Sequence, residues 1–349
     1  MATIQEVAKR AGVSVKTVSR VMNDHENVSA ETRARVYEAM QALGYRPSEA
    51  ARQLRSQTST NVGLLLGDPA SGYQGRFHQA LLAACLQAGR YLCVELFDAP
   101  GPGWQDRVLL LLERTGIGDM ILLPPLCDFL PLKTLLREHG VRLALISPAS
   151  PDPLSPAILM DDRAAAAEIT GMLLDQGHRR IGHITGDPDH AASGLRRNGF
   201  IDAFLSRGQP RPEPSLIAEG NFLFKKGSAA AEALLALPNR PTAIFAANDD
   251  TAAAVCMVAH RLGLRIPEDL SVVGFDDSPI ASEIWPSLTT VRQPFAAMAA
   301  SALKAFALAP RNPREGQTAA SFLEPYSIIF RESSGPPPPS RKPDDKPRV

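Results

Sequence analysis

The sequence predicts a small all-α domain at the N-terminus, followed by a larger α/β region built on doubly wound parallel sheets. Three observations support this division. Three helix-start signals fall within the first 45 residues, and apolar runs alternate with amphipathic helices from residue 61 onward. The chain also has 349 residues, more than the roughly 100 to 200 residues of one ordinary domain.

Each of the three N-terminal helices is predicted from its own N-cap residue. Thr3 and Glu6 have the spacing of a capping box, in which each side chain binds the other residue's backbone amide. Ser14 and Ser29 are N-cap residues in front of the second and third helices. A glycine separates the first two helices. This layout predicts a helix-turn-helix domain over residues 1–46.

The second helix lies in the stretch GVSVKTVSRVMN, residues 12–23. Its apolar side chains, which are expected to pack on the first helix, are Val18, Val21 and Met22. Lys16 and Arg20 are four residues apart and project in one direction, as on a solvated helix face or on a DNA-reading helix. Because an arginine fork fits the N7 and O6 acceptors of guanine in the major groove, Arg20 is predicted to read guanine.

Charge is balanced over the whole chain but not along it. Lys plus Arg and Asp plus Glu both number 37, which gives no overall signal for nucleic acid or for a membrane surface. Residues 1–58, however, contain nine basic and six acidic side chains. Positive charge is therefore concentrated in the predicted helix-turn-helix region, where phosphates would lie.

The cysteines and the hydropathy pattern indicate a protein of the cytoplasm. Cys85, Cys93, Cys127 and Cys256 lie in apolar surroundings without CxxC spacing, so we expect buried free thiols and neither a disulfide framework nor a zinc site. The N-terminus lacks the basic and apolar regions of an export signal. No apolar run approaches the roughly 18 residues that span a bilayer, so no membrane contact is expected.

Eight apolar runs between residues 60 and 334 are predicted to be strands of parallel sheets. They are NVGLLLGD, YLCVELFD, DMILLPP, VRLALIS, AILMDD, RRIGHITG, TAIFAAND and LSVVGFDD. Helical segments such as 74–88 and 163–177 are long enough for right-handed crossovers. Eight strands are too many for one lobe, so we expect two. Their predicted extents are about 60–160 plus 291–320 for the first lobe and about 162–289 plus 321–334 for the second.

Two further segments have no predicted core. Residues 47–59 contain a one-sided apolar strip too short to fold alone, and they are predicted to be a linker that becomes helical only in contact with a partner. The tail 335–349 is rich in proline and charge and is predicted to be disordered.

Motifs of catalysis and of cofactor binding are absent from the sequence. It contains no GxSxG elbow, GxxxxGKS loop or HExxH pair, so we expect neither an enzyme nor a bound cofactor or metal. His183 and His190 flank a predicted strand end without other metal ligands nearby. They are expected at the surface or in a loop.

The stretch TIQEVAKRAGVSVKTVSRVMN, with VSAETRARVYEAMQALGYRPSEAARQL after it, resembles the N-terminal domain of the LacI/GalR family of bacterial repressors. Similarity to the family continues through RRIGHITGDPDHAASGLRRNGFIDAF, AIFAANDDTAAAV and LSVVGFDDSPIASEIWPSLTTVRQPF. The resemblance implies a two-lobed domain of the periplasmic-binding-protein type (type I). It also implies a homodimer on a pseudo-palindromic double-stranded operator.

DNA-contacting residues are predicted on and around the second helix. Base reading is predicted for Val15, Lys16 and Arg20, and backbone contact for Gln5, Ser14, Thr17, Ser19 and Asn23. The resemblance adds the hinge. The linker is expected to fold as a hinge helix whose Leu54, beside Ala51, wedges into the minor groove and bends the DNA.

A small effector, expected to be a sugar or a sugar derivative, is predicted to bind between the lobes. Carried over from the family are Arg196, Asn248, Asp276, Phe222 and Gln293. Ser147 is added because it follows a strand, at the carboxyl edge where ligands bind in open α/β sheets. The segment GDPASGYQGRF departs from the family pattern, and it offers Asp68, Tyr73 and Phe77 as pocket residues.

These assignments predict a sequence-specific transcriptional regulator, and most directly a repressor controlled by its effector. The alternative is a sugar-binding protein of a transport or sensing system with the same two lobes. That alternative leaves the helix-turn-helix region without a role and requires an export signal. An α/β enzyme tethered to DNA is disfavoured because no catalytic constellation is present.

Overall fold

The computed structural model describes residues 2–22, 28–45, 60–97, 101–308 and 319–339. Two compact units divide the chain, Met1–Ser59 and Thr60–Val349. The predicted linker 47–59 therefore lies entirely outside the described residues, as do Asn23, Ala51 and Leu54. No described helix is long and apolar enough to cross a membrane.

The N-terminal unit contains the three predicted helices: α1 (Ile4–Ala11), α2 (Val15–Met22) and α3 (Ala30–Ala42). The predicted capping box is present, since Thr3 and Glu6 each bind the other residue's backbone amide. Ser14 accepts the Thr17 amide at 3.1 Å, and Ser29 caps α3. Gly12 ends α1 with φ of 64°, a left-handed conformation that glycine adopts at little cost.

The second unit contains two six-stranded sheets. Their strands are β1 (Asn61–Leu66), β2 (Tyr91–Leu96), β3 (Asp119–Leu122), β4 (Arg142–Ile146), β5 (Ala157–Leu159), β6 (Ile181–Thr185), β7 (Ile217–Glu219), β8 (Ala243–Ala246), β9 (Ser271–Asp276), β10 (Thr289–Arg292), β11 (Ser321–Leu323) and β12 (Ser327–Ile329). The first sheet has the order β11-β5-β4-β3-β1-β2, and the second β12-β10-β9-β8-β6-β7. Apart from the antiparallel pair β10 and β12, neighbouring strands are parallel.

Helices cover both faces of each sheet. They are α4 (Gly72–Gln87), α5 (Trp104–Thr115), α6 (Leu130–Glu138), α7 (Asp162–Asp175), α8 (Ala191–Leu205), α9 (Phe224–Leu235), α10 (Asp249–Arg261), α11 (Ile280–Glu283) and α12 (Phe295–Leu308), with 3-10 turns at Leu126–Asp128 and Pro214–Leu216. Successive strand residues point to opposite faces, so Leu64 joins the core beneath α4 and α12 while Leu65 joins the core on the other side. This is the predicted doubly wound arrangement in two lobes.

The lobe boundaries differ from the predicted ones by a few residues. β10 belongs to the second sheet, so the chain crosses to the first lobe at Gln293 and Pro294 instead of at residue 291. It returns after β11, which pairs with β5 of the first sheet, instead of at residue 321. β10 and β11 are short strands at or near sheet edges. Their alternation of apolar and polar residues is too short to assign either strand to a lobe from the sequence.

The predicted disorder of the tail is wrong at its first residue. The Gly335 carbonyl accepts hydrogen bonds from Ser271 Oγ at 3.0 Å and from a ring nitrogen of His178 at 2.9 Å. Residues 340–349 lie outside the described part of the chain. The four cysteines are free thiols, as predicted, and Cys93 is only half-buried.

Candidate effector cavity and DNA-binding helix

A cavity of about 380 Å³ lies between the two lobes. Its walls are built largely from residues at the carboxyl ends of strands, which is where open α/β sheets bind ligands. Eight of the nine predicted effector residues line it: Asp68, Tyr73, Ser147, Arg196, Phe222, Asn248, Asp276 and Gln293. The structure therefore brings together residues that are up to 225 positions apart in the sequence, from Asp68 to Gln293.

The backbone around the cavity is held in unusual conformations. Ser147 directly after β4 has φ of 46°, Phe222 has φ of 61°, and Asp276 at the end of β9 has φ of 110°. Residues with side chains seldom adopt such angles, and each costs on the order of 1 to 3 kcal/mol. Such costs commonly occur at binding sites, where they fix the direction in which a side chain points.

Arg196 is the central cation of the cavity. It extends from α8, is 4 % exposed, and donates from Nε to Asp162 at 2.8 Å and from Nη1 to the Ala247 carbonyl at 2.5 Å. Its guanidinium lies 3.6 Å from the centre of the Phe275 ring. Because these contacts hold the guanidinium from three sides, it presents a preorganised donor to the cavity.

Asp276 is fixed between Arg196 and Gln293. Gln293 Nε2 donates to Asp276 Oδ1 at 2.6 Å, and Arg196 Nη1 lies 3.7 Å from the same oxygen. Burial nevertheless raises the pKa of Asp276 to about 7, against the opposing effect of the Arg196 charge. Asp276 is thus a buried acceptor that binds a proton near neutral pH.

Asn248 has two roles within the protein itself. Its side-chain oxygen caps α10 by accepting the Thr251 amide at 3.0 Å. Its amide nitrogen donates to the Phe222 carbonyl at 3.1 Å. The Asn248 side chain therefore caps a helix and also positions the loop that carries Phe222 into the cavity wall.

The Phe222 ring packs flat against the backbone at Gly186, after β6. A Cβ atom at Gly186 would overlap that ring, so only glycine leaves room for it. His190, at the start of α8, lies 5.6 Å from Phe222 between ring centres, and burial lowers its pKa. Phe222 therefore offers an aromatic surface between the His190 imidazole and the guanidinium of Arg196, which is 5.7 Å from the ring centre.

The wall from the first lobe contains Asp68, Tyr73 and Ser147, but not Phe77. Phe77 is fully buried beneath the first sheet and packs edge-on against Phe295, 6.4 Å away between ring centres. Its assignment to the pocket is therefore wrong. Phe77 is four residues after Tyr73 on α4, and the packing of this helix on α12 turns Phe77 into the core.

Carboxylates outnumber cations in the cavity wall. Those in the wall are Asp68, Asp162, Asp187, Asp250 and Asp276. Among the described lining residues the positive charge comes from the guanidinium of Arg196, which is already paired with Asp162. Burial, together with the charge of Asp68 across the cleft, raises the pKa of Asp250. The cavity therefore offers many acceptors, and its net charge is unfavourable for an anionic ligand.

The N-terminal unit presents the predicted base-reading residues on one exposed face of α2. Val18 and Val21 are fully buried against α1 and α3, whereas Val15, Lys16 and Arg20 are exposed. Ser14 is also exposed, and Thr17 is half-buried. The division of this helix into a packing side and an outward side is thus present in the structure, with Ser19 half-buried and Gln5 of α1 exposed.

Comparison with known proteins identifies both units. The model for bacterial regulatory proteins of the lacI family matches residues 3–48, and the model for a periplasmic binding protein-like domain matches residues 170–334. The transcriptional regulator GalR of Escherichia coli is 32 % identical over 319 residues, which cover 90 % of this chain and 91 % of GalR. This chain belongs to the lacI family. It is a DNA-binding transcriptional regulator and not an enzyme.

Other LacI-family relatives agree in sequence and fold. The transcriptional repressor PurR of Aliivibrio salmonicida is 31 % identical over 84 % of this chain and 88 % of PurR. The lac repressor dimer bound to operator and the anti-inducer ONPF has a TM-score of 0.78 at 27 % identity, over 96 % of this chain and 99 % of that one. A transcriptional regulator CelR in complex with cellobiose has a TM-score of 0.70 at 28 % identity, over 96 % of this chain and 100 % of CelR.

Several cavity residues of this LacI-family regulator were missed by the sequence analysis. Asp162, at the start of α7, is 3 % exposed and makes the shortest ion pair of Arg196. Gln74 on α4 accepts the amides of Gly67 and Asp68 at 3.0 and 3.1 Å. Of these two residues, only Asp162 could have been predicted from the sequence. The two acids of AILMDD follow a predicted strand, at the edge of the sheet where ligands bind.

The expectation for the two histidines is correct for His190 and wrong for His183. His190 lies in the loop directly before α8, is half-buried, and lines the cavity. His183 lies inside β6, stacks between Phe200 and Phe245 at 4.9 and 4.8 Å, and binds the Phe245 carbonyl. Burial lowers its pKa to about 4, so it is a neutral core residue. Among the described residues, no group of His, Cys, Asp and Glu is arranged to hold a metal.

Proposed function

We propose that this chain is a repressor that binds a pseudo-palindromic operator as a homodimer and is controlled by an unphosphorylated, hydroxyl-rich effector, a sugar or a sugar derivative. The observation that carries the proposal is the buried set Arg196, Asp276 and Gln293 beside the Phe222 ring. Fixed donors and acceptors suit hydroxyl groups, and an aromatic ring suits the apolar face of a sugar. The complex of CelR with cellobiose supports this ligand class.

The charge of the cavity favours an uncharged effector over a phosphorylated one. A phosphate placed there would face the carboxylates Asp68, Asp187 and Asp250, while Arg196 is already paired within the wall. Hydroxyl groups, by contrast, donate readily to carboxylates, and such charge-assisted hydrogen bonds are about twice as strong as neutral ones. The same carboxylates therefore weaken the binding of a phosphate group and strengthen the binding of a neutral polyol.

Two exposed apolar surfaces of the second unit support the homodimer. On the first lobe, the outer face of α4 and the edge strand β2 expose Leu82, Leu86, Tyr91, Val94 and Leu96. On the second lobe, Trp285 is 76 % exposed, stacks on His260 at 5.7 Å, and lies in a region that also exposes Met257. Exposed apolar surface of this kind marks protein interfaces, and β2 is also the edge strand of the first sheet in the described part of the chain.

At the operator, Arg20, Lys16 and Val15 are proposed to read bases in the major groove. Contacts to the DNA backbone are proposed for Gln5, Ser14, Thr17, Ser19 and Asn23. Ala51 and Leu54 are proposed to enter the minor groove. Effector binding would change the angle between the lobes and so the geometry of the dimer. The effector changes operator binding only if its affinity differs between the operator-bound and the operator-free state of the dimer.

The test begins with DNA fragments selected by the full-length protein from a random pool. The selected site is then titrated by fluorescence anisotropy at 150 mM salt, with and without each member of a panel of neutral sugars and their phosphates. A neutral sugar is expected to change operator affinity at least about tenfold in the wild type and much less in Phe222→Ala, which removes the aromatic surface but no buried ion pair. Failure of the protein to select any sequence would contradict the regulator, and an effect of phosphates alone would contradict the ligand class.

A further inference from the structure

A second concave site lies on the second lobe, outside the effector cavity. It is a groove of about 450 Å³ at the carboxyl ends of β6 and β7, bounded by the first turns of α8 and by residues 211–219. Pockets of roughly 300 to 1000 Å³ suit small molecules. The groove does not share any lining residue with the effector cavity among the described residues.

The floor of the groove contains a polar group without a partner. Ser193 is 5 % exposed and lines the groove, and no residue in the described ranges forms a hydrogen bond with its hydroxyl. The Ser193 hydroxyl is not one of the fully buried polar atoms that lack a partner, so it keeps some contact with solvent. Because Ser193 lines the groove, a ligand bound there can accept its hydroxyl proton.

Two arginines line the same groove. Arg197 on α8 and Arg211 on the opposite wall are both exposed, and neither has a carboxylate within ion-pair distance in the described parts of the chain. Most arginines of this lobe are paired, as Arg163 is with Asp202 and Arg207 is with Asp175. Glu219, at the end of β7, is the carboxylate of the groove.

We propose that this groove binds a phosphomonoester whose organic part carries hydroxyl groups. Arg197 and Arg211 hold the phosphate, and Ser193 donates its hydroxyl proton to a phosphate oxygen. Glu219 accepts from a hydroxyl of the organic part. The groove and the effector cavity thus differ in ligand preference, since the groove binds a phosphate group and the cavity disfavours one.

The groove and the cavity share two structural elements. On α8, Ser193 and Arg197 face the groove, whereas Ala192 and Arg196 face the cavity. Gly186 lines the groove, and its backbone also supports the Phe222 ring. A ligand that orders the start of α8 would therefore change effector affinity, and by linkage the effector would change the affinity of the phosphomonoester equally. This coupling rests on the proposed function, whereas binding in the groove does not.

The test uses ribose 5-phosphate as probe, with ribose and inorganic phosphate as comparisons. Binding to the full-length wild type is measured by isothermal titration calorimetry and by the shift in Tm. We expect ribose 5-phosphate to bind more tightly than inorganic phosphate, and ribose not to bind in the groove. The double variant Arg197→Gln/Arg211→Gln is expected to weaken ribose 5-phosphate at least about tenfold, because it removes two charge-assisted contacts.

Two control variants show where the probe binds. Lys225→Gln/Lys226→Gln removes the same charge from exposed positions on α9 and is expected to leave binding unchanged. Asp68→Asn alters the effector cavity at an exposed residue of the first lobe and is also expected to retain binding. The proposal is overturned if ribose 5-phosphate does not bind, if the double arginine variant binds it as well as the wild type, or if Asp68→Asn abolishes binding. None of these results bears on the response of the operator complex to neutral sugars.

Discussion

Replacement of Asp276 by Asn is expected to stabilise this regulator above neutral pH. Burial raises the pKa of Asp276 from 3.8 to about 7, so the folded protein favours the protonated carboxyl. A shift of about 3 units, at 1.36 kcal/mol per unit, corresponds to ~4 kcal/mol. Asparagine has the shape of the protonated acid, carries no charge, and retains an oxygen that accepts from Gln293.

The pH dependence has a defined sign. A carboxyl whose folded pKa is raised costs no stability below pH 3.8, the unfolded value. Between pH 3.8 and about 7 the unfolded chain releases the proton while the folded protein keeps it, so wild-type stability falls. Above pH 7 the full cost remains. Asp276→Asn removes this cost, and its advantage over the wild type grows from near zero at pH 4 to at most ~4 kcal/mol at pH 8.

A neighbouring carboxyl acts in the same direction. Burial, and next the charge of Asp276, raise the pKa of Asp249 to about 8. Removal of the Asp276 charge lowers the pKa of Asp249 and reduces the cost of ionising it within the core. Arg196 keeps its hydrogen bond to Asp162 at 2.8 Å, so the variant does not leave an unpaired buried guanidinium.

The assay is urea denaturation of the wild type and of Asp276→Asn from pH 5 to pH 8, analysed for the transition of the second unit. Asp175→Asn is the matched control, because Asp175 is an exposed partner of Arg207 and its pKa is lowered. That control is expected to be slightly less stable than the wild type at neutral pH. A difference between Asp276→Asn and the wild type that does not change with pH, or a less stable variant at pH 8, would refute the burial argument.

Three further predictions concern DNA and effector binding. Arg20→Ala should lose about ten- to a hundredfold in affinity for the selected operator, but little for random DNA, in salt-dependent titrations; an equal loss on both would exclude base reading. Leu54→Ala should weaken the operator complex and reduce its bend in a circular-permutation gel assay, and an unchanged bend would contradict the wedge. Gly186→Ala should displace the Phe222 ring and weaken the effector about tenfold, with a change in unfolding free energy below ~1 kcal/mol. Gly194→Ala, where a Cβ meets nothing within 4 Å, is the control for Gly186→Ala, and an equal loss in both would sink the packing argument.

The sequence by itself determined the elements and the family. Helix caps depend on residues three positions apart, as in Thr3 and Glu6, so they could be identified without tertiary information. Seven of the eight apolar runs are largely buried strands whose hydrophobicity is continuous, because parallel sheets are covered on both faces. The eighth, β2, is an edge strand whose side chains are mostly exposed. The outward side of α2 followed from helical spacing alone, since Val18 and Val21 fix which face is buried.

The tertiary structure decided which side chains meet. Tyr73 and Phe77 lie one turn apart on α4, yet Tyr73 lines the cavity while Phe77 packs against Phe295, which is more than 200 residues later. Asp162 contacts Arg196 because α7 and α8 cross closely, and no local pattern encodes that distance. His183 is neutral because two aromatic rings from α8 and β8 exclude water from it. Spacing along a chain determines the face of a helix or strand, but burial and pKa depend on what packs against that face.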